Sequence, residues 1–101
     1  AQKRLGRLCF DSIRNEVQVE GRRIELTARE LSLVEALMQH PGRTVTKQRL
    51  FDALYSWDHE ANLSVIEVHV SRLRRKLEQA HAGVGIRMLR GLGYRLEAVG
   101  D

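Results

Sequence analysis

Basic residues that could bind a polyanion are concentrated in one segment near the end of the 101-residue chain. Residues 1–67 hold ten Lys or Arg and ten Asp or Glu, whereas residues 68–96 hold seven Lys or Arg and one acidic residue, Glu78. The last five residues add Glu97 and Asp101, so the formal net charge of +4 comes from residues 68–96. A localised excess of this kind is typical of a nucleic-acid-binding surface. A basic helix that is merely solvated fits the charge equally well.

The basic segment begins in a predicted helix that runs from Ser64 to about Gln79. At about 100° per residue, four apolar side chains share one stripe that we expect to be buried: Ile66, Val70, Leu73 and Leu77. The opposite side, called the outer face below, carries Val65, Val68, Ser71, Arg72 and Arg75. The flanks between these sides carry His69 and Lys76 on one edge and Glu67 and Arg74 on the other.

Val68 and Arg72 lie one turn apart on this outer face and together could read a base sequence. A valine can contact a thymine methyl group, and an arginine can donate two hydrogen bonds to guanine O6 and N7 in the major groove. The alternative is an amphipathic helix whose outer face is solvated, because a single exposed valine is common. We favour the major-groove interpretation.

A predicted hairpin follows, with strands Ile86–Leu89 and Tyr94–Glu97 around the tip Arg90-Gly91-Leu92-Gly93. Two glycines permit positive φ and a close backbone approach, and a projecting arginine suits a narrow, electronegative minor groove. Arg95 follows in the return strand. By itself the pattern fits a tight hairpin with incidental arginines. Beside a basic helix it indicates a recognition helix and a wing.

The elements that must position this helix and hairpin begin with short strands. Leu5–Phe10, Glu16–Val19 and Arg23–Leu26 alternate in part and suit a small antiparallel meander. A fourth strand has no clear position. Thr44–Val45 is predicted to be a brief extended link. The strands place the chain in the α+β class.

Two further helices precede the basic one. Thr27 and Glu30 form a predicted capping box at the start of the first, which Pro41-Gly42 ends. Thr46 is predicted to cap a second helix of about two turns, whose inner face carries Leu50, Phe51 and Leu54. Ser56–Asn62 is predicted to be a loop, and Ser64 with Glu67 forms a second predicted capping box.

Several classes of protein do not fit the sequence. No apolar run approaches the roughly 20 residues that cross a bilayer, and the first ten residues do not form a signal peptide. The single cysteine, Cys9, favours a reducing, cytoplasmic location and a buried, inert thiol. The four histidines lack metal-site spacing: His40, His59, His69 and His81. No nucleophile motif is present, so we expect one non-enzymatic domain over residues 1–101, without cofactor or metal.

The motifs together resemble a known family over nearly the whole chain. Leu26-Thr27, Glu30-Leu31, residues 65–77 (VIEVHVSRLRRKL) and residues 89–94 (LRGLGY) are similar to the effector domain of OmpR/PhoB-type response regulators. Residues 55–58 (YSWD) are most similar to PmrA-like members. The resemblance implies a winged helix-turn-helix with an N-terminal antiparallel sheet, three helices and a C-terminal β-hairpin wing. It also implies transcription control in a two-component phosphorelay.

The resemblance implies partners and site residues as well. The partners are duplex DNA with direct repeats, bound as a head-to-tail dimer, and an upstream receiver domain that this chain lacks. We expect four base-contacting residues: Val65, Val68, His69 and Arg72. We expect five phosphate-contacting residues: Lys47, Arg74, Arg75, Lys76 and Tyr94. Arg90 is the implied minor-groove arginine of the wing.

Three positions depart from the family's pattern, and they make the operator sequence and the wing affinity hard to predict. Ser64 replaces a longer base-contacting residue of some members, Tyr55 replaces a frequent tryptophan, and Met88 replaces a phosphate-binding threonine of some members.

The loop at residues 56–62 is the one that the family uses to contact RNA polymerase. Trp57, Asp58 and Glu60 could form that contact. Trp57 could equally fold onto the core.

The alternative function is a winged helix that binds protein or RNA. A protein-binding module should lack the pairing of Arg72 in the helix with Arg90 in the hairpin. An RNA binder should offer aromatic stacking surfaces, yet the chain has five aromatic residues in all: Phe10, Phe51, Tyr55, Trp57 and Tyr94.

Overall fold

A four-stranded antiparallel sheet opens the computed structural model, which describes residues 2–56 and 61–100. Its strands follow the chain order: β1 (Gln2–Leu5), β2 (Leu8–Asp11), β3 (Glu16–Val19) and β4 (Arg22–Arg23). The predicted single strand Leu5–Phe10 is wrong, because a turn at Gly6 splits it. Gly6 has φ +57°, and a Cβ there would lie 2.6 Å from the Gly83 carbonyl oxygen. The segment before this turn supplies the missing fourth strand.

The predicted strand Arg23–Leu26 is shorter than expected. The observed strand β4 is Arg22–Arg23, so Arg23 alone of the predicted range lies in it, and the Ile24 N–H still donates to the Val17 carbonyl at 2.9 Å. The chain then leaves the sheet because it must reach the N-cap of the first helix at Thr27.

Three helices follow: α1 (Ala28–Met38), α2 (Lys47–Tyr55) and α3 (Val65–Gln79). The predicted capping box of α1 is confirmed, since the Thr27 hydroxyl accepts from the Glu30 N–H and the Glu30 carboxylate accepts from the Thr27 N–H. The predicted cap of α2 is also confirmed, because the Thr46 hydroxyl accepts from the Arg49 N–H at 3.1 Å.

The predicted capping box of α3 is wrong. Ser64 already has helical dihedral angles (φ −64°, ψ −19°) and makes no side-chain cap. The Asn62 carboxamide oxygen accepts from the Ser64 N–H and the Ser64 hydroxyl, and the Asn62 carbonyl accepts from the Val65 N–H. Asn62 therefore satisfies the start of the helix two residues earlier than expected.

A second antiparallel sheet closes the domain, with β6 (Val84–Leu89), β7 (Gly93–Ala98) and the short strand β5 (Thr44–Val45) in the order β5-β7-β6. The predicted hairpin is confirmed, with Met88 opposite Tyr94 and Ile86 opposite Leu96. The segment predicted as an extended link is β5, and it anchors the hairpin to the start of α2.

The core lies where the helices meet the two sheets. Its largest fully buried apolar side chains come from every layer: Leu8, Leu33, Leu37, Met38, Leu50, Ile66, Leu73, Leu77 and Leu96. Burying one such side chain stabilises the fold by about 1.5–3 kcal/mol, so the inner stripe of α3 fixes its rotation. Cys9 is buried, as expected. Among the described residues, no helix is long and apolar enough to cross a membrane.

Candidate nucleic-acid interface

The outer face of α3 points away from the core, as the helical periodicity predicted. Ser71, Arg72 and Arg75 are exposed, and Val68 keeps 46% of its surface accessible. Val65 is half-buried. An apolar residue therefore lies at the surface beside two arginines, which is the combination that suits base contacts in a major groove.

Three arginines on this side of the molecule pair with no carboxylate of the described residues. Arg72 and Arg75 on α3 and Arg90 at the hairpin tip are exposed, and across residues 2–56 and 61–100 none of them forms an ion pair or hydrogen bond. Guanidinium groups in this state keep all their donors for an external anion.

The hairpin tip is more apolar than expected. Leu92 and Met88 are 63% and 56% exposed and lie on either side of Arg90. The Leu92 N–H donates to the Leu89 carbonyl at 2.9 Å, which closes the turn. The sequence pattern pointed to the glycines and Arg90 as the DNA-facing features of the tip, and it did not predict the exposure of Leu92 and Met88.

The base of the hairpin is packed tightly against β5. A Cβ on Gly93 would lie 2.1 Å from the Val45 carbonyl oxygen, and Gly93 has φ +152°. Beside it Tyr94 is 2% exposed, and it borders a surface depression together with Lys47 and the hairpin tip. The structure thus brings the predicted phosphate ligands Lys47 and Tyr94 together.

Lys47 begins α2, and its side chain pairs with a carboxylate of α3. Its Nζ lies 3.0 Å from the Glu67 carboxylate, on a flank of α3. This hydrogen bond raises the pKa of Lys47, outweighing the partial desolvation of the amine. Lys47 therefore stays charged. An incoming phosphate would have to share the Lys47 ammonium with the Glu67 carboxylate or displace that carboxylate from it.

His69 faces inward, where the sequence analysis expected a base contact. The side chain is 9% exposed, and its Nε2 lies 2.6 Å from the Tyr55 hydroxyl. Burial lowers the pKa of His69, and the Arg72 and Arg29 guanidiniums lower it further, against an opposing effect of Glu30. The imidazole is therefore neutral near pH 7, and its contact with a base stays a prediction.

Arg74 and the wing are joined by two hydrogen bonds. The guanidinium donates from Nε at 2.9 Å and from Nη2 at 2.7 Å to the Ile86 carbonyl oxygen. Arg74 is exposed on its remaining side, so its phosphate contact stays a prediction. Its observed role is to hold β6 against α3.

Lys76 is held by a buried carboxylate. Its Nζ lies 2.5 Å from Glu30, which is 1% exposed and also closes the capping box of α1. Burial alone would raise the pKa of Glu30, but the Lys76 ammonium and the Thr27 N–H outweigh it and lower that pKa. A phosphate contact through Lys76 would have to compete with this ion pair.

Arg95, noted in the return strand, is paired within the hairpin. It donates to Glu97 at 2.8 Å, and Glu97 also lies 3.8 Å from Arg87. These two arginines sit opposite each other across the hairpin, so one carboxylate offsets their repulsion.

The predicted polymerase contact at Trp57, Asp58 and Glu60 lies outside the described residues.

Residues 21–96 match the family described as "Transcriptional regulatory protein, C terminal". The matched range covers the three helices and nearly the whole hairpin.

Two relatives from Pseudomonas aeruginosa illustrate the similarity. The two-component response regulator PhoP is 44% identical over 89 residues, which is 88% of this chain and 40% of PhoP. The response regulator protein PmrA is 35% identical over 92 residues, which is 91% of this chain and 40% of PmrA. The chain therefore spans about two fifths of the relatives it matches, and these identities do not single out PmrA.

Solved structures give the same assignment. The AdeR response regulator DNA-binding domain, crystallised in complex with an intercistronic region, aligns with a TM-score of 0.82 and 25% identity. The alignment covers 95% of this chain and 99% of that one. With its three helices, two small antiparallel sheets and C-terminal hairpin, the chain belongs to the C-terminal transcriptional regulatory family, the winged-helix effector domains of OmpR/PhoB-type response regulators.

Proposed function

We propose that this chain is the sequence-specific, duplex-DNA-binding output domain of a two-component response regulator that controls transcription. In this proposal α3 lies in the major groove and the hairpin, residues 86–97, lies in the minor groove as a wing. The observation that carries the proposal is the set of exposed arginines that pair with no carboxylate of residues 2–56 and 61–100: Arg72, Arg75 and Arg90.

The contacts observed inside the protein leave some of the predicted site residues free to bind DNA and engage others. Val68 and Arg72 have the exposure that base contacts require, and Val65 is half-buried beside them. Arg75 is free for a phosphate, and Lys47 and Tyr94 share one depression beside the wing. Arg74 and Lys76 are already engaged, so we expect them to contribute less to DNA affinity than Arg75 does.

Arg90 is proposed to enter the minor groove. Arg90 is exposed at the tip, two residues from each of the exposed apolar residues Met88 and Leu92. A narrow minor groove has an enhanced negative potential that attracts an inserted arginine, and this preference needs no base-specific hydrogen bond.

The partners of the whole protein are proposals that rest on the family. The relatives are longer than this chain and include a two-component response regulator, which supports an upstream receiver domain. A head-to-tail dimer on direct repeats and a polymerase contact through residues 56–62 are proposed on the same ground. The family is one of transcription regulators and not an enzyme class; that this chain lacks catalytic activity stays a prediction.

Binding to RNA is the less favoured alternative. RNA readers stack unpaired bases on accessible aromatic rings. Of the four aromatic residues that the structure describes, Phe10 and Tyr94 are buried, and Phe51 stacks on Tyr55 at 5.3 Å between ring centroids. Phe51 and Tyr55 are half-buried, so no ring in that part of the chain is fully exposed as a stacking platform.

Salt dependence of binding tests the proposal. With several phosphates contacted, log K for duplex DNA should fall by about 0.9 per contact against log[salt] between about 50 and 200 mM. Arg75→Gln should reduce the slope by about one contact. Arg14→Gln removes the same charge from the N-terminal sheet, where the side chain is 71% exposed, and should leave the slope unchanged. A flat response, or a preference for duplex RNA, would contradict DNA binding.

A further inference from the structure

One side chain from each helix forms a cluster beside the outer face of α3. Arg29 of α1 places its guanidinium carbon 3.8 Å from the centre of the Tyr55 ring, and it donates to the Leu54 carbonyl at the end of α2. The Tyr55 hydroxyl lies 2.6 Å from Nε2 of His69, one turn before Arg72 on α3. The cluster therefore connects α1 and α2 to the helix that is proposed to read DNA.

The charges around this cluster favour a neutral imidazole. Arg29 approaches from α1 and Arg72 from α3, and a like charge nearby disfavours an imidazolium. Glu30 of α1 acts in the opposite direction, but its carboxylate is paired with Lys76. A neutral histidine carries one proton, so one ring nitrogen donates a hydrogen bond and the other accepts one.

The direction of the hydrogen bond between the Tyr55 hydroxyl and His69 sets which ring nitrogen carries the proton. Within the described residues, Nε2 of His69 is the hydroxyl's one hydrogen-bond partner, so donation to Nε2 is the arrangement that uses the hydroxyl's proton. A guanidinium over the ring face strengthens the phenol as a donor, because it withdraws electron density electrostatically. Nε2 is then the acceptor and Nδ1 carries the hydrogen.

The second nitrogen remains available. No described residue hydrogen-bonds Nδ1 of His69, and the residue keeps 9% of its surface accessible. A donor at this position can meet a phosphate oxygen, or O6 or N7 of a guanine, all of which accept. The other tautomer would present a lone pair, which these acceptors repel.

We propose that Tyr55 is a positioning residue for DNA binding, because its hydroxyl holds His69 as the Nδ1–H tautomer and thereby makes it a donor toward DNA. The claim that His69 donates to DNA rests on the proposed DNA binding. The claim that Tyr55 sets the tautomer of His69 concerns the free protein, so the two claims are tested by separate measurements.

The tautomer is read directly from long-range ¹H–¹⁵N correlation spectra of the ¹⁵N-histidine-labelled domain without DNA. We expect the Nδ1–H form in the wild type and a shift toward Nε2–H in Tyr55→Phe, which keeps the ring and removes the hydroxyl. Phe51→Leu is the matched control, since it perturbs the ring stacked on Tyr55 and keeps the hydroxyl. An Nε2–H signal in the wild type, or no shift in Tyr55→Phe, overturns the inference.

The effect on DNA is read on the duplex obtained by random-oligonucleotide selection with the wild type. Tyr55→Phe should lower affinity about three- to tenfold, the range for one hydrogen bond, and should have no further effect in a His69→Ala background. Equal losses in both backgrounds, or unchanged affinity despite a changed tautomer, overturn the positioning role. Failure of the wild type to select any duplex refutes the DNA half and the proposed function, while the spectra still decide the tautomer.

Discussion

The outer face of α3, together with the wing tip, and the flanks of α3 carry the same basic residue types in different surroundings. On the outer face of α3 and at the wing tip, Arg72, Arg75 and Arg90 are exposed and make no ion pair with the described residues. On the flank of α3, Lys76 is fixed to Glu30. On the other flank, Arg74 is fixed to the base of the wing.

This difference teaches that a basic residue on a recognition helix is not by itself evidence of a DNA contact. A buried carboxylate such as Glu30 needs a partner, since an unpaired buried charge is strongly destabilising. Lys76 supplies that partner and Arg74 binds the Ile86 carbonyl, so both flank residues have internal contacts that hold the outer face in place. Substitutions on the two sides should therefore separate stability from affinity.

The largest effect is expected at the base of the wing. Gly93→Ala would force a Cβ to within 2.1 Å of the Val45 carbonyl oxygen at φ +152°. We expect a loss of about 2–5 kcal/mol in the free energy of unfolding, from backbone strain and overpacking together. Urea unfolding measures it. Gly91→Ala is the control: it has φ +77° and open space, so it should lose about 1 kcal/mol. Equal losses would show that the wing base is not packed as described.

Lys76→Met and Arg75→Met compare a flank with the outer face. Lys76→Met leaves Glu30 buried without its cation, and we expect a loss of about 1–3 kcal/mol in unfolding free energy, because the lysine is partly exposed. Arg75→Met should change stability by less than about 0.5 kcal/mol. Its effect should fall instead on DNA affinity and its salt dependence. Unfolding and binding are measured for both variants, and the reverse pattern would refute the division.

The pH dependence of stability isolates Glu30. Its pKa is lowered in the folded protein, so its stabilising effect is complete above about pH 4.3, the ordinary value. The effect is lost as the pH falls through the lower, folded pKa. Relative to Glu30→Gln, the wild type should be more stable by about 1–3 kcal/mol at pH 7, and this advantage should shrink in acid. A difference that stays constant from pH 7 to acid unfolding would contradict the ion pair.

The smallest effect is expected at the wing tip. Arg90→Ala should weaken binding by about 0.5–1.5 kcal/mol, and more on A·T-rich flanks than on G·C-rich flanks. Exchanging A·T for T·A should matter little, because the minor groove does not distinguish them. Affinities on duplexes with matched flanks measure this, and Arg87→Ala, paired with Glu97, is the control. Equal loss on every flank would remove Arg90 from the minor groove.

Features set by local pattern were predictable from the sequence. The order of elements, the inner stripe of α3 and the capping box at Thr27 follow from periodicity and from residues three positions apart. The same rule failed at Ser64 because Asn62, two residues earlier, competes for the same donors. A rule based on residue spacing alone does not decide which of two neighbouring polar side chains caps a helix.

Features set by tertiary contact were not predictable. The pairing of Lys76 with Glu30 joins residues 46 positions apart, and the hydrogen bond of Tyr55 to His69 crosses between two helices. The turn at Gly6 depends on its approach to Gly83. The resemblance to a family placed these residues in the correct elements but gave no internal role to His69 or Lys76.

The most direct test of the central claim is random-oligonucleotide selection with the wild type and Arg72→Ala in parallel. Arg72 lies exposed beside Val68 on the outer face, and a bidentate arginine contact discriminates one base pair by about 1–3 kcal/mol. We predict that Arg72→Ala recovers the wild-type site with its preference lost at one position and retained elsewhere. An unchanged site bound uniformly more weakly would make Arg72 a phosphate contact and contradict base reading by the outer face of α3.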